Sequence, residues 1–306
     1  MKFNRNNFLK KYSWIKKKKQ RFVISADYDG LICASFLHHH LNWELVGYYN
    51  FEKIWLSDNG INDKKNIIWV DLNILPKQGK SIGGHIISID GTIPEGFESS
   101  CNPNIHLNLT CKDFKHKFPF STLIFMMWLF NIEIKKDLLS KLFVLHSDNT
   151  WLKIQNYSDN VTFWKSCLSD YNWDWLFKGS TTKQFEKRID QIFYPRLFQL
   201  NAISDKSKLN SIHYNIKSRQ FQFNPDWDVD VVINLFCEFA KYLKWTPPSI
   251  PIIEHKFYGI REKMSLAKVK SMGLNQLIEN KKIFSYAISS PQILNYTYFK
   301  TAKNDS

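Results

Sequence analysis

A short apolar run that stops on a pair of aspartates sets the frame for this chain. Phe22-Val23-Ile24-Ser25-Ala26 is strand-like in length and composition, and Asp27-Tyr28-Asp29-Gly30 ends it. From Leu31 to Leu41 apolar residues recur at helical spacing, so a strand, a tight turn and a helix follow one another. Residues 44–49, 66–70 and 85–89 read as further strands, and 105–109 as a short fifth. Residues 119–130 and 136–145 read as helices. Strands alternating with helices predict an α/β fold, with a mostly parallel sheet and helices on both faces.

In such sheets the ligand crevice lies outside the carboxyl ends of the strands. Three of the strand-like runs lead into acidic residues there: Asp27, Asp71 and Asp90. Gathering several carboxylates at one edge is unfavourable unless a cation binds them, so the spacing by itself suggests a metal site. The plainer alternative is that each aspartate caps a helix or shapes a turn.

The texture changes near residue 150. Trp151, Trp164, Trp173, Trp175, Phe177, Tyr194, Phe198, Phe221, Phe223 and Trp227 make the second half dense in aromatic rings. Helical spacing runs over 182–200 and 229–243, and Pro247, Pro248 and Pro251 mark a break. These features predict a second, aromatic-rich α+β domain. Between Lys206 and Phe223, basic residues including Lys217 and Arg219 interleave with aromatics. That pattern suits stacking on single-stranded nucleic acid, or an amphipathic hairpin with rings inward and cations outward.

The formal net charge is +14, and residues 1–26 contribute nine Lys or Arg and no acid. Lys16, Lys17, Lys18 and Lys19 form a run in this basic arm, which favours a polyanion. Five scattered cysteines without a Cys-x-x-Cys pair argue against a disulfide framework or zinc ribbon, and for reduced thiols. No apolar run reaches the length of a membrane span, and no secretory leader is evident, so a cytoplasmic protein is expected.

Asp27-x-Asp29-Gly30, Asp71, Asp90 and Asp148 occur in the order of the motifs of the DHH phosphoesterase family, which residues 20–150 resemble. The strand Ile67-Ile68-Trp69-Val70-Asp71, the lead-in Gly84-His85, Asn102-Pro103 and His146-Ser147-Asp148 also fit. The resemblance implies a two-metal site, usually manganese, at the strand ends. It makes Asp27 a ligand of the first metal, Asp29 and Asp148 ligands of the second, Asp71 the bridging ligand, and Asp90 a supporting acid. The chain departs from the family at its histidines. Ser25 stands where the first motif has one, and the namesake Asp-His-His is Asp90-Gly91-Thr92. Without those nitrogen ligands, oxygen ligands would hold Mn²⁺ or Mg²⁺ weakly. A nearby Lys, or His146 two residues before Asp148, could stand in for a catalytic histidine. His38-His39-His40 is not a metal site, because consecutive helical residues point about 100° apart.

The expected organisation is a basic arm over residues 1–20, a DHH-like domain over 21–155 and a C-terminal domain over 156–306 for substrate or nucleic acid. The expected function is a metal-dependent phosphodiesterase or nuclease acting on nucleic acid, with a single strand as the expected substrate and Asp27, Asp29, Asp71 and Asp90 catalytic. The alternative is a catalytically inactive DHH-like protein that binds nucleic acid or a protein partner. A third possibility is a small-nucleotide phosphohydrolase.

Overall fold

The computed structural model describes residues 2–75, 80–204 and 207–300, so Met1 and Lys206 lie outside the described residues. The chain forms two compact units that are interleaved in sequence. One comprises Met1–Lys19, Ala26–Glu44 and Pro119–Ile250; the other comprises Gln20–Ser25, Leu45–Phe118 and Pro251–Ser306. The single boundary expected near residue 155 falls inside the first unit. Residues 251–300 belong with the early strands rather than with the aromatic-rich stretch.

The second unit is built on a nine-stranded sheet. Its strands are β1 (Arg21–Ser25), β2 (Glu44–Tyr49), β3 (Lys53–Leu56), β4 (Ile68–Val70), β5 (Lys80–Ile82), β6 (Ser100–Cys101), β7 (His255–Ser265), β8 (Ile283–Ser290) and β9 (Ile293–Phe299). Their order is β6-β5-β4-β1-β2-β3-β7-β9-β8. The pairs β1–β4, β4–β5 and β5–β6 are parallel, with Ile24 opposite Val70 and Val70 opposite Ile82. The pairs β2–β3, β3–β7, β7–β9 and β8–β9 are antiparallel. The fold is therefore α/β with a mixed sheet, parallel on one side only, which corrects the expectation of a mostly parallel one.

Two runs read as strands fold otherwise. Residues 85–89 make no ladder of their own, although the Ile86 carbonyl accepts the Ile288 N–H at 3.1 Å. The Leu75 N–H likewise donates to the Phe284 carbonyl at 3.1 Å. The segments following β4 and β5 thus cover the outer edge of β8, where an open strand would invite foreign pairing. Residues 105–109 begin inside a short helix, Pro103–His106, started by the Asn102 cap and the fixed φ of Pro103, and continue through the turn after it. One apolar core gathers Val23, Val46, Tyr49, Leu56, Trp69 and Phe284. A second packs the helices Leu266–Met272 and Leu274–Lys281 on β8 and β9 through Val269, Leu277, Ile288 and Leu294.

The first unit is helical, and the aromatic-rich stretch contributes no strand of the sheet among the described residues. The strands of the expected C-terminal α+β region are β7, β8 and β9, which lie in the other unit. The helix Val229–Leu243 turns Val232, Leu235, Phe236, Phe239 and Leu243 inward, at i, i+3 and i+4 spacing. The basic N-terminal segment is folded rather than a free arm. Asn4 caps the helix Arg5–Lys11, and Phe3, Phe8, Tyr12, Trp14 and Ile15 are buried. The Phe8 ring meets Phe125 and Trp128 edge-on at 5.7 and 5.5 Å. Among the described residues no helix is long and apolar enough to cross a membrane.

Candidate functional site

In the sheet unit, Asp71 directly follows β4 at the carboxyl end of the parallel strands. Its φ is +62°, a conformation that aspartate tolerates better than most residues. The Ser25 hydroxyl, at the end of neighbouring β1, donates to Asp71 Oδ2 at 2.7 Å. Ser25, which stands where the resemblance would place a histidine, is thus a hydrogen-bond donor to the aspartate expected to bridge two metals. Two residues on, the Asn73 side chain is buried and neither end of its amide has a protein hydrogen-bond partner.

Asp90 is exposed and follows no strand. Its carboxylate accepts the Thr92 N–H at 3.0 Å, while the Ser88 hydroxyl accepts the Gly91 N–H at 2.9 Å. The Thr92 N–H holds the Asp90 carboxyl below its usual range. Gly91 has φ +102°, a conformation L side chains rarely adopt, so the histidine that the resemblance expects here would be strained. Asp90 is a turn-former in a glycine-centred loop.

In the helical unit, Asp27 is the N-cap of the helix Tyr28–Leu41 and accepts the Gly30 N–H at 2.9 Å. Asp29 lies in the first turn of the same helix, 1% exposed. It accepts the Thr122 N–H at 3.2 Å, tying the start of one helix to the start of another, Thr122–Phe130. Both aspartates also favour the positive end of the helix macrodipole. Asp148 and Asn149 sit between the helices Leu138–His146 and Thr150–Asn156 with φ of +44° and +54°. The Lys153 ammonium pairs with Asp148, an ion pair that reading the motif alone does not reveal. His146 is fully buried against the rings of Tyr28, Phe193 and Tyr194. Burial lowers its pKa to about 3, so the imidazole is neutral and closed to a substrate.

All five aspartates therefore accept hydrogen bonds or an ammonium from the protein. Among the described residues no group of three or more His, Cys, Asp or Glu is disposed to hold a metal ion. As found, this donor set does not fit a two-metal centre. No known protein resolves the question. No protein-family model, curated protein or solved structure matches the chain.

The basic residues are placed more favourably for contact. Lys16, Lys17, Lys18 and Lys19 are all exposed on the turn between Ser13–Lys16 and β1. Lys18 donates to the His40 carbonyl at the end of the helix Tyr28–Leu41, and the Lys17 carbonyl accepts the Trp43 indole N–H at 2.7 Å. The three histidines diverge, as their spacing requires. His38 Nδ1 meets the Trp43 carbonyl at 2.9 Å, His39 Nδ1 accepts the Thr246 N–H at 3.1 Å, and His40 packs on Phe36 and Trp245. Burial, with His39 and Lys18 adding, lowers the His40 pKa to about 4.

Lys217 and Arg219 point outward from a segment that buries Ile216, Phe221 and Phe223. The two phenylalanine rings stack on one another 6.1 Å apart, and the Arg219 guanidinium lies over the Tyr194 ring at 5.1 Å. This is the amphipathic alternative of the sequence pattern. The phenylalanines serve the core and offer no platform to a base.

Proposed function

We propose that this chain is a nucleic-acid-binding protein on a DHH-like scaffold whose aspartates hold the fold instead of a catalytic metal pair. The observation that carries this reading is the Lys153 ammonium on Asp148, where the family resemblance calls for a second metal. An ammonium and a divalent cation compete for one carboxylate. The polyanion preference rests on Lys16 to Lys19, exposed together in a segment that has no acid before Asp27. Each lysine contact to a single-strand phosphate adds about −0.7 to the slope of log affinity against log salt. Replacing the four lysines by glutamine should weaken binding to a labelled single strand and flatten that slope by up to about 3. An unchanged slope would remove these lysines from the interface.

A metal-dependent phosphodiesterase is the second reading, and one observation favours it. Asp71 follows β4, β4 runs parallel to β1, and ligands of open α/β sheets gather at that edge. A screen of labelled DNA, RNA and dinucleotides with Mn²⁺ and Mg²⁺ separates the two readings. Metal-dependent cleavage that disappears in Asp71→Ala would favour the enzyme.

A further inference from the structure

Residues 251–300 contain eight Lys or Arg, three Glu and no Asp. With the nine cations of residues 1–26, their surplus of five accounts for the whole net charge of +14. The second basic segment supplies β7, whose alternating side chains put Lys256, Tyr258, Ile260 and Glu262 on one face. The register sets Lys53 of β3 opposite Tyr258, and Tyr298 and Tyr296 of β9 opposite Ile260 and Glu262.

Tyr258 is 70% exposed, although its strand has a neighbour on either side in the sheet. The exposed ring is accessible to a partner. The Lys53 ammonium lies 4.8 Å from the Tyr258 ring and 4.9 Å from the buried Trp55 ring, which orders both the cation and the tyrosine. About 13 Å along the same face, four residues on at strand rise, an open depression of about 510 Å³ begins at Glu262, Met264 and Tyr296. Lys263, Lys268 and Lys281 also line it. Its one acid is engaged. Glu262 accepts the Tyr296 and Tyr298 hydroxyls, the latter at 3.0 Å, and Lys281 approaches to 3.5 Å. The depression therefore presents cations to its contents.

We propose that the exposed part of β7, beside Lys53 of β3, binds single-stranded nucleic acid, with a base stacked on Tyr258 and phosphates passing Lys53 and Lys256 toward the lysine-lined depression. A ring between cations matches a strand of alternating bases and phosphates, and stacking makes no demand on base identity. This surface belongs to the sheet unit and the lysines of residues 16–19 to the helical unit, and it shares with the proposed function only its class of ligand.

The test uses the full chain and a labelled thymidine oligonucleotide, with affinity read by anisotropy over a salt series. Tyr258→Ala should weaken binding about tenfold, within the range for loss of one base stack, while Tyr258→Trp holds the wild-type affinity. Lys256→Gln should reduce the salt slope by about 0.7. An exposed tyrosine leaves the fold intact when truncated, and an unchanged melting temperature checks this. Wild-type affinity in Tyr258→Ala overturns the proposal, even where the glutamine variants of Lys16 to Lys19 bind weakly and support the N-terminal interface. The converse pattern supports this face and removes the N-terminal one. No measurable affinity in the wild-type chain sinks both. A loss on Lys256→Gln with none on Tyr258→Ala means that charge alone holds an acidic partner, and it also overturns the proposal.

Discussion

Single aspartates in this chain do work that a motif cannot distinguish from metal binding. Capping a helix, entering the left-handed region and closing a turn all select Asp or Asn, and Asp27, Asp71, Asp90 and Asp148 each do one of these. Two substitutions probe this directly. Asp148→Asn keeps a residue suited to φ +44° but leaves a mostly buried ammonium without its carboxylate, so it should destabilise in urea by about 1–3 kcal/mol. Gly91→His introduces at φ +102° the histidine that the resemblance expects, and it should destabilise by about 1–2 kcal/mol without conferring hydrolysis. A gain of Mn²⁺-dependent cleavage in that variant would show that the metal site was only waiting for its histidine. The buried histidines give a pH signature. An unfolded histidine titrates near 6.5, whereas His146 is held down at about 3 and His40 at about 4. Below pH of about 6.5 the unfolded chain takes up protons that the folded chain refuses. Stability is therefore full above that pH and falls toward the folded values, by about 1.4 kcal/mol per pH unit for fully buried His146. Urea midpoints measured from pH 7 to 4 should fall less steeply in His146→Phe than in the wild type. Parallel curves would contradict the neutral buried imidazole.

At the scale of elements, the N-terminal segment joins two functions that sequence reading treated as one. Its lysines face water, but Phe3, Phe8, Tyr12, Trp14 and Ile15 are core. Phe8→Ala should cost about 3–5 kcal/mol, so deleting the segment would confuse unfolding with lost affinity. Equal thermal stability of Phe8→Ala and wild type would contradict this packing. The elements legible in the sequence were those with a strong local signal. The helix over 229–243 matches Val229–Leu243, and β2 matches residues 44–49. The helix after Asp27 begins at Tyr28, earlier than its apolar spacing starts, because the Asp27 cap sets its first turn. β7, β8 and β9 were not legible. β7 is exposed or half-exposed along its length and shows no apolar alternation, and one of its two ladders depends on β3, some 200 residues away. The run over 85–89 was apolar because Ile86, Ile87 and Ile89 fill a core, not because they pair as a strand. At the candidate site the aspartates were visible, but their partners Ser25, Thr122 and Lys153 were not. No spacing rule links a carboxylate to a donor 46 or 93 residues distant.

At the scale of the whole molecule, positive charge is concentrated in two stretches, residues 1–26 and 251–300, while the rest of the chain is balanced. One stretch contributes exposed lysines to the helical unit, and the other contributes β7 to the sheet unit. Such a distribution favours a polyanion over a small neutral substrate. The most direct measurement incubates the full chain with a labelled single-stranded oligonucleotide, in chelator and in millimolar Mn²⁺, and reads affinity by anisotropy and integrity on a denaturing gel. Salt-sensitive binding that persists in chelator, with the oligonucleotide intact in Mn²⁺, is the expected result. Cleavage in Mn²⁺ that vanishes in Asp71→Ala would contradict it and restore the aspartates to a catalytic metal site.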